Sequence, residues 1–148
     1  MLVNEPGGYF QFGLNPLESF AEVDGSPTTN HLQISVDYGP FQSASGAYVD
    51  TGGNEGILPR NLLPPFLSGS DLPDGSSLPA NTIITVQTDT GTLLYSEQTG
   101  AAPNAMIVTA SEANAGHFNT GNYVYSLMPI YTSYTTPEGI TFFDKLPD

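Results

Sequence analysis

The chain has 148 residues, with 15 Asp and Glu against 2 Lys and Arg and a formal net charge of -13. That length suits one domain, residues 1–148, which removes roughly 70% of its unfolded surface from water. With Arg60 and Lys145 as the only Lys or Arg side chains, ion-pair networks cannot hold the fold, and the missing basic patch excludes nucleic acid as a direct partner.

No apolar run approaches the roughly 20 residues of a spanning helix, and an anionic membrane surface repels so acidic a chain, so no membrane partner is expected. Cysteine is absent, so disulfides contribute nothing. Met1-Leu2-Val3-Asn4-Glu5-Pro6 lacks the basic and apolar regions of a signal peptide, and cytoplasmic synthesis is expected.

Residues 1–14 read as an N-terminal arm, with Tyr9, Phe10, Phe12 and Leu14 following Gly7-Gly8. Asn15-Pro16-Leu17-Glu18 predicts a short helix, with Asn15 as N-cap, Pro16 at the first helical position and Glu18 reaching back to a free N–H. Leu32 to Tyr38 alternates strictly, with residues 32, 34, 36 and 38 on one face, and predicts a half-buried strand stopped by Gly39-Pro40.

Periodicity vanishes over residues 50–81, where Leu58-Pro59, Leu63-Pro64-Pro65, Leu72-Pro73 and Leu78-Pro79 predict an extended loop with polyproline-like runs. Connections longer than about 15 residues are usually functional or disordered. The apolar content of this one argues for burial: Ile57, Leu58, Leu62, Leu63, Phe66, Leu67, Leu72 and Leu78 must pack on this domain or on another chain.

Thr82–Thr88 and Thr92–Glu97, joined by Asp89-Thr90-Gly91, predict a β-hairpin with a glycine bulge. Ala105–Thr109 predicts a further strand, and Ser111–Gly116 a single capped helical turn. Tyr123–Leu127, Ile130–Tyr134 and Ile140–Phe143 complete the predicted strands. The fold class is therefore mainly β: an antiparallel β-sandwich or small barrel with one or two short helical turns and a long Pro-rich loop.

Chemistry-bearing residues are sparse. There is no thiol and no Gly-x-Ser-x-Gly elbow, and His31 and His117 read as turn or surface histidines rather than catalytic bases or zinc ligands. The oxygen-rich stretches Asp50-Thr51-Gly52-Gly53-Asn54-Glu55 and Ser70-Asp71-Leu72-Pro73-Asp74-Gly75 suit calcium by composition, but neither has EF-hand spacing and both suit ordinary turns. Paired carboxylates are formally available for hydrolysis, as in the two-carboxylate glycosidases, although most are expected to be solvated. Tyr123, Tyr125, Tyr131 and Tyr134 form a late cluster that suits sheet packing or a sugar-binding aromatic row.

A chain poor in Lys and Arg, rich in Thr, Ser, Gly, Pro and Asn, and carrying the 50–81 loop, the Tyr9–Leu14 arm and an acidic surface resembles bacteriophage virion proteins. The likeness is greatest to capsid decoration (cement) proteins. It implies a non-enzymatic virion protein that binds the outer face of a capsid, with the major capsid protein or another virion protein as partner, a homo-oligomer such as a trimer, and no cofactor. Extended apolar arms would make the attachment, so Tyr9, Phe10, Phe12, Ile57, Leu58, Leu62, Leu63, Phe66, Leu67 and Leu72 are the candidate partner-binding residues, with no catalytic or metal-ligating residue expected. The alternatives are a carbohydrate- or receptor-binding β-sandwich, with or without calcium, and a small hydrolase with two catalytic carboxylates.

Overall fold

The computed structural model describes residues 1–68, 72–100, 106–109 and 117–147. The predicted helical turn at 111–116 and part of the second oxygen-rich loop lie outside them. In chain order the strands are β1 (Leu2–Asn4), β2 (Tyr9–Gln11), β3 (Ser19–Asp24), β4 (Thr28–Thr29), β5 (Leu32–Val36), β6 (Gln42–Ala44), β7 (Ala47–Tyr48), β8 (Gly56–Pro59), β9 (Ile83–Thr88), β10 (Leu93–Gln98), β11 (Met106–Thr109), β12 (Ile130–Ser133) and β13 (Ile140–Asp144). Two short helices, α1 (Pro65–Ser68) and α2 (Tyr123–Leu127), and a 3-10 turn at Arg60–Leu62 interrupt them.

The protein is mainly β and sandwich-like, without a closed barrel. One sheet has the order β2-β1-β12-β13-β3 and a second the order β10-β9-β5-β6, with all neighbours antiparallel. Two short ladders complete it: β4 with β7, antiparallel, and β8 with β11, parallel.

Alternation explains the central strands. Leu32, Ile34 and Val36 of β5 are buried, as are Ile84 and Val86 of β9, which stand opposite Val36 and Ile34 across the ladder. The β5 run ends before Tyr38, because Asp37 and Tyr38 take positive φ angles of 48° and 61° and turn the chain, leaving Tyr38 exposed. The β9–β10 hairpin forms as predicted, with its register shift between Leu93 and Tyr95. Phe118, Phe143, Leu58, Met106 and Ile130 are fully buried members of the hydrophobic core, and Leu2 of β1 is fully buried as well. Full burial of each such side chain contributes about 1.5–3 kcal/mol before ordering costs.

Two predicted elements are corrected. Asn15–Glu18 is not helical. The Asn15 side-chain oxygen does accept the Leu17 N–H at 3.1 Å, as an N-cap would, but its amide donates to both oxygens of the buried Asp144, at 3.0 Å each. Ser19 already belongs to β3 and donates from Oγ to the same carboxylate at 2.6 Å, while Glu18 pairs with Lys145. Tertiary pairing to the C-terminal strand has overridden the local capping signal.

Tyr123–Leu127, predicted as a strand, is the helix α2. Tyr and Val favour strands, but Val124, Tyr125 and Met128 lie on one helical face and all three are buried, so core packing decides the conformation. Within residues 50–81, the β8 strand, the 3-10 turn and α1 give order where no periodicity is visible in the sequence.

Candidate functional site: the Asp50 turn

β7 runs into the loop 50–55, and the chain returns as β8. The segment Phe118–Thr120 lies between these two strands. The Tyr48 N–H donates to Phe118 O at 2.7 Å and the Thr120 N–H to Tyr48 O at 3.0 Å, while Asn119 and Ile57 exchange two backbone hydrogen bonds of 2.9 and 2.8 Å. Both stems of the loop are therefore clamped by the same short stretch of backbone.

Two glycines make the clamp possible. Gly121 sits at φ +58°, and a Cβ there would come within 2.9 Å of Glu55 C and Gly56 N. A Cβ at Gly56 would meet Met106 Sδ and Cε at 2.7 Å and Asn119 O at 2.9 Å. Neither position admits a side chain without moving backbone or core.

Asp50 opens the loop and is half-buried, with Thr51 and Gly52 exposed beside it. Its Oδ1 accepts the Gly52 N–H at 2.7 Å, and its Oδ2 accepts Asn119 Nδ2–H at 3.0 Å. The Asp50 N–H donates to Thr120 Oγ1 at 3.3 Å, and that hydroxyl donates to Gly121 O at 2.8 Å. The Asn119 amide is fixed in turn, its Oδ1 accepting the Gly121 N–H at 2.8 Å. Two Asx-Thr-Gly turns thus face each other, each closed from side-chain oxygen to glycine N–H, one carrying a carboxylate and the other a carboxamide. Beneath them Tyr125 Oη donates to Val49 O at 3.4 Å. Burial first, and then the charges of Asp50 and Glu5 and the Tyr134 phenol, push the Tyr125 phenol well above its usual range.

The other candidates are dispersed. The second Asp-Thr-Gly, residues 89–91, caps the β9–β10 hairpin, and Asp89 turns its carboxylate to His31 Nδ1 at 2.7 Å. His117 contacts Gly46 O through Nδ1 at 3.1 Å. Among the described residues no group of three or more His, Cys, Asp or Glu side chains is placed to hold a metal ion. The tyrosines form no exposed row: Tyr125 is buried, Tyr123 and Tyr131 are half-buried, and Tyr134 is exposed.

Of the candidate partner-binding residues, Leu58, Leu62 and Leu63 lie in this chain's own core, and Leu67 and Leu72 pack against it. Ile57 is half-buried. Phe66 is exposed, as are Tyr9 and Phe10 of β2, the edge strand of the five-stranded sheet, and Phe12 just beyond it.

Asp50-Thr51-Gly52 is the turn its composition predicts, whereas nothing in the sequence pattern around Asn119, Thr120 and Gly121 predicts their place beside it. The signal available for a turn there was the tripeptide itself, since Asx-Thr-Gly occurs at 50, 89 and 119.

These features define a sandwich-like β protein that presents a doubly hydrogen-bonded carboxylate, Asp50, on a glycine-bounded turn. The chain belongs to the family described as the PE-PGRS C-terminal aspartyl peptidase-like domain, whose model matches residues 1–142. No curated protein gives a match to the chain.

Proposed function

We propose that this chain supplies one carboxylate, Asp50, of a two-carboxylate site for peptide-bond hydrolysis. The observation that carries the reading is the held carboxylate: an Asp-Thr-Gly turn with one oxygen on the Gly52 N–H and the other on the Asn119 amide, in a chain whose family is named for aspartyl peptidases. Such a site works with two carboxyl groups sharing one proton. The ionised one takes a proton from water as the water oxygen bonds to the amide carbon, and the protonated one gives its proton to the carbonyl oxygen. The resulting tetrahedral species breaks its C–N bond as the nitrogen is protonated, releasing an acid and an amine.

The group within hydrogen-bonding distance of Asp50 Oδ2 in this chain is a carboxamide. The proposed site takes its second carboxylate from a second copy of the chain or from polypeptide outside the described residues. The test is cleavage of an unfolded protein between pH 3 and 7. Asp50→Asn is expected to abolish cleavage and Asp89→Asn to leave it unchanged. If a second copy supplies the partner, specific activity rises with protein concentration. Cleavage that survives in Asp50→Asn refutes the assignment.

A second reading, a non-enzymatic virion protein attached through apolar segments, draws support from the β2 edge and the stretch that follows it. Phe10, Phe12 and Leu14 are 69%, 73% and 89% exposed, and the stretch from Pro6 to Leu17 carries no charged side chain. An uncharged aromatic edge on so acidic a chain suits attachment to another protein surface.

A further inference from the structure

We propose that Asn119 is a positioning residue for Asp50. The inference rests on the peptidase reading and assigns a role within it to a side chain from a separate segment of the chain. Asn119 uses both ends of its amide. Its oxygen is held by the Gly121 N–H at 2.8 Å, which fixes the orientation of the group, and one of its two Nδ2 hydrogens is thereby directed to Asp50 Oδ2 at 3.0 Å. Its backbone is pinned by the two hydrogen bonds with Ile57. The Gly52 N–H alone would fix one oxygen and leave the carboxylate free to swing about the Cα–Cβ bond. The second donor, on the other oxygen, removes that freedom.

The carboxylate plane is thereby set by two groups that are themselves immobilised, one local and one from residues 118–121. A catalytic carboxylate needs this, because its oxygen must meet a water and a carbonyl within a few tenths of an ångström, and a misplacement of about 1 Å costs on the order of a hundredfold in rate. Reading Asn119 as mere structural filling leaves the direction of its Nδ2–H unexplained.

Two variants test the role. Asn119→Asp preserves size and the acceptor for Gly121, but at pH 7 its ionised carboxylate donates nothing to Asp50. Asn119→Leu preserves size and removes both polar contacts. Three-bond couplings across the Asp50 Cα–Cβ bond are expected to report one rotamer in the wild-type chain and averaged rotamers in both variants at pH 7. In a folded Asn119→Leu chain, kcat for peptide cleavage is expected to fall about 10- to 100-fold with KM changed by less than about twofold.

Single-rotamer couplings retained in Asn119→Asp overturn the proposal, as does an unchanged kcat in folded Asn119→Leu. So does cleavage by Asn119→Asp faster than wild type, which would show that position 119 is where a second carboxylate works. If the wild-type chain, tested at high concentration, cleaves nothing, a second copy does not supply the partner carboxylate. The couplings still decide whether Asn119 fixes Asp50.

Discussion

Glu97 is a carboxyl group whose burial ties stability to pH. It lies on β10, opposite Ile84 of β9, and is 4% exposed. Its Oε1 is buried without a hydrogen-bond partner, and so is the hydroxyl of Tyr95, two residues away on the same strand. Burial raises the Glu97 carboxyl from its ordinary value of 4.5 to about 7. Tyr95 and Tyr123, whose rings meet edge-on at 6.2 Å, are both pushed upward by burial and by the Glu97 charge.

A carboxyl raised in the folded state binds its proton more tightly there than in the unfolded chain. Its contribution is therefore most favourable below pH 4.5 and is lost as pH rises toward 7. At about 1.4 kcal/mol per pH unit the loss approaches 3 kcal/mol, a large part of a typical domain's stability. Replacement of Glu97 by Gln removes the titration while keeping the shape. Urea unfolding of both chains from pH 4 to pH 8 is expected to give nearly equal stabilities at the acid end. The variant gains progressively, by about 2–3 kcal/mol, by pH 8. The repulsion among the remaining acidic groups is common to both chains and cancels in the difference. A difference between the two that does not vary with pH would refute the reasoning.

Gly121→Ala is expected to destabilise the fold by about 2–4 kcal/mol, from the left-handed backbone and from the contacts with Glu55 and Gly56 together. Urea unfolding checks it, and a loss below about 1 kcal/mol would show that the clamp around Asp50 yields easily. Replacing both Phe10 and Phe12 by Ser is expected to change stability by less than about 0.5 kcal/mol, since both rings are exposed. Under the attachment reading, the same change weakens association, measured by sedimentation velocity of the chain alone and with a candidate partner. An unaltered sedimentation profile in both settings counts against that reading.

What the sequence disclosed follows a physical division. Strict alternation in β5 and the paired runs of β9 and β10 are local patterns, and local patterns can be seen from one sequence. The state of Tyr123–Leu127 was set by which neighbours bury Val124 and Met128, and the state of Asn15–Glu18 by a contact with Asp144 near the far end of the chain. Neither determinant lies within the segment concerned.

Carboxylates posed the same difficulty. In a chain with 15 of them, solvation is the natural assumption for each, yet Glu97 and Asp144 are buried. Glu97 shares a strand face with Tyr95, an alternation visible in the sequence, whereas Asp144 is explained only by the donors from Asn15 and Ser19. Asp50 could be recognised as a turn residue from its neighbours Thr51 and Gly52. Its partner Asn119 lies 69 residues away and is brought to it by the threading of residues 118–120 between β7 and β8.

The pH that suits the proposed chemistry also suits the fold. A pair of carboxyl groups acts as acid and base only while it holds one proton between two sites, which places its working range in acid. In that range Glu97 is neutral, and the buried oxygen that lacks a partner carries no charge. The excess of carboxylates over cations is also partly discharged, which lessens self-repulsion. At neutral pH each of these conditions reverses: the pair loses its shared proton, Glu97 ionises where nothing compensates it, and the acidic groups repel. Stability and activity are therefore expected to fall together as pH rises, but through different residues. Glu97→Gln separates them, restoring stability at pH 7 while leaving the acid-side activity that depends on Asp50 where it was. An activity profile that follows stability in this variant would mean that the decline in rate was unfolding and not the chemistry of the pair.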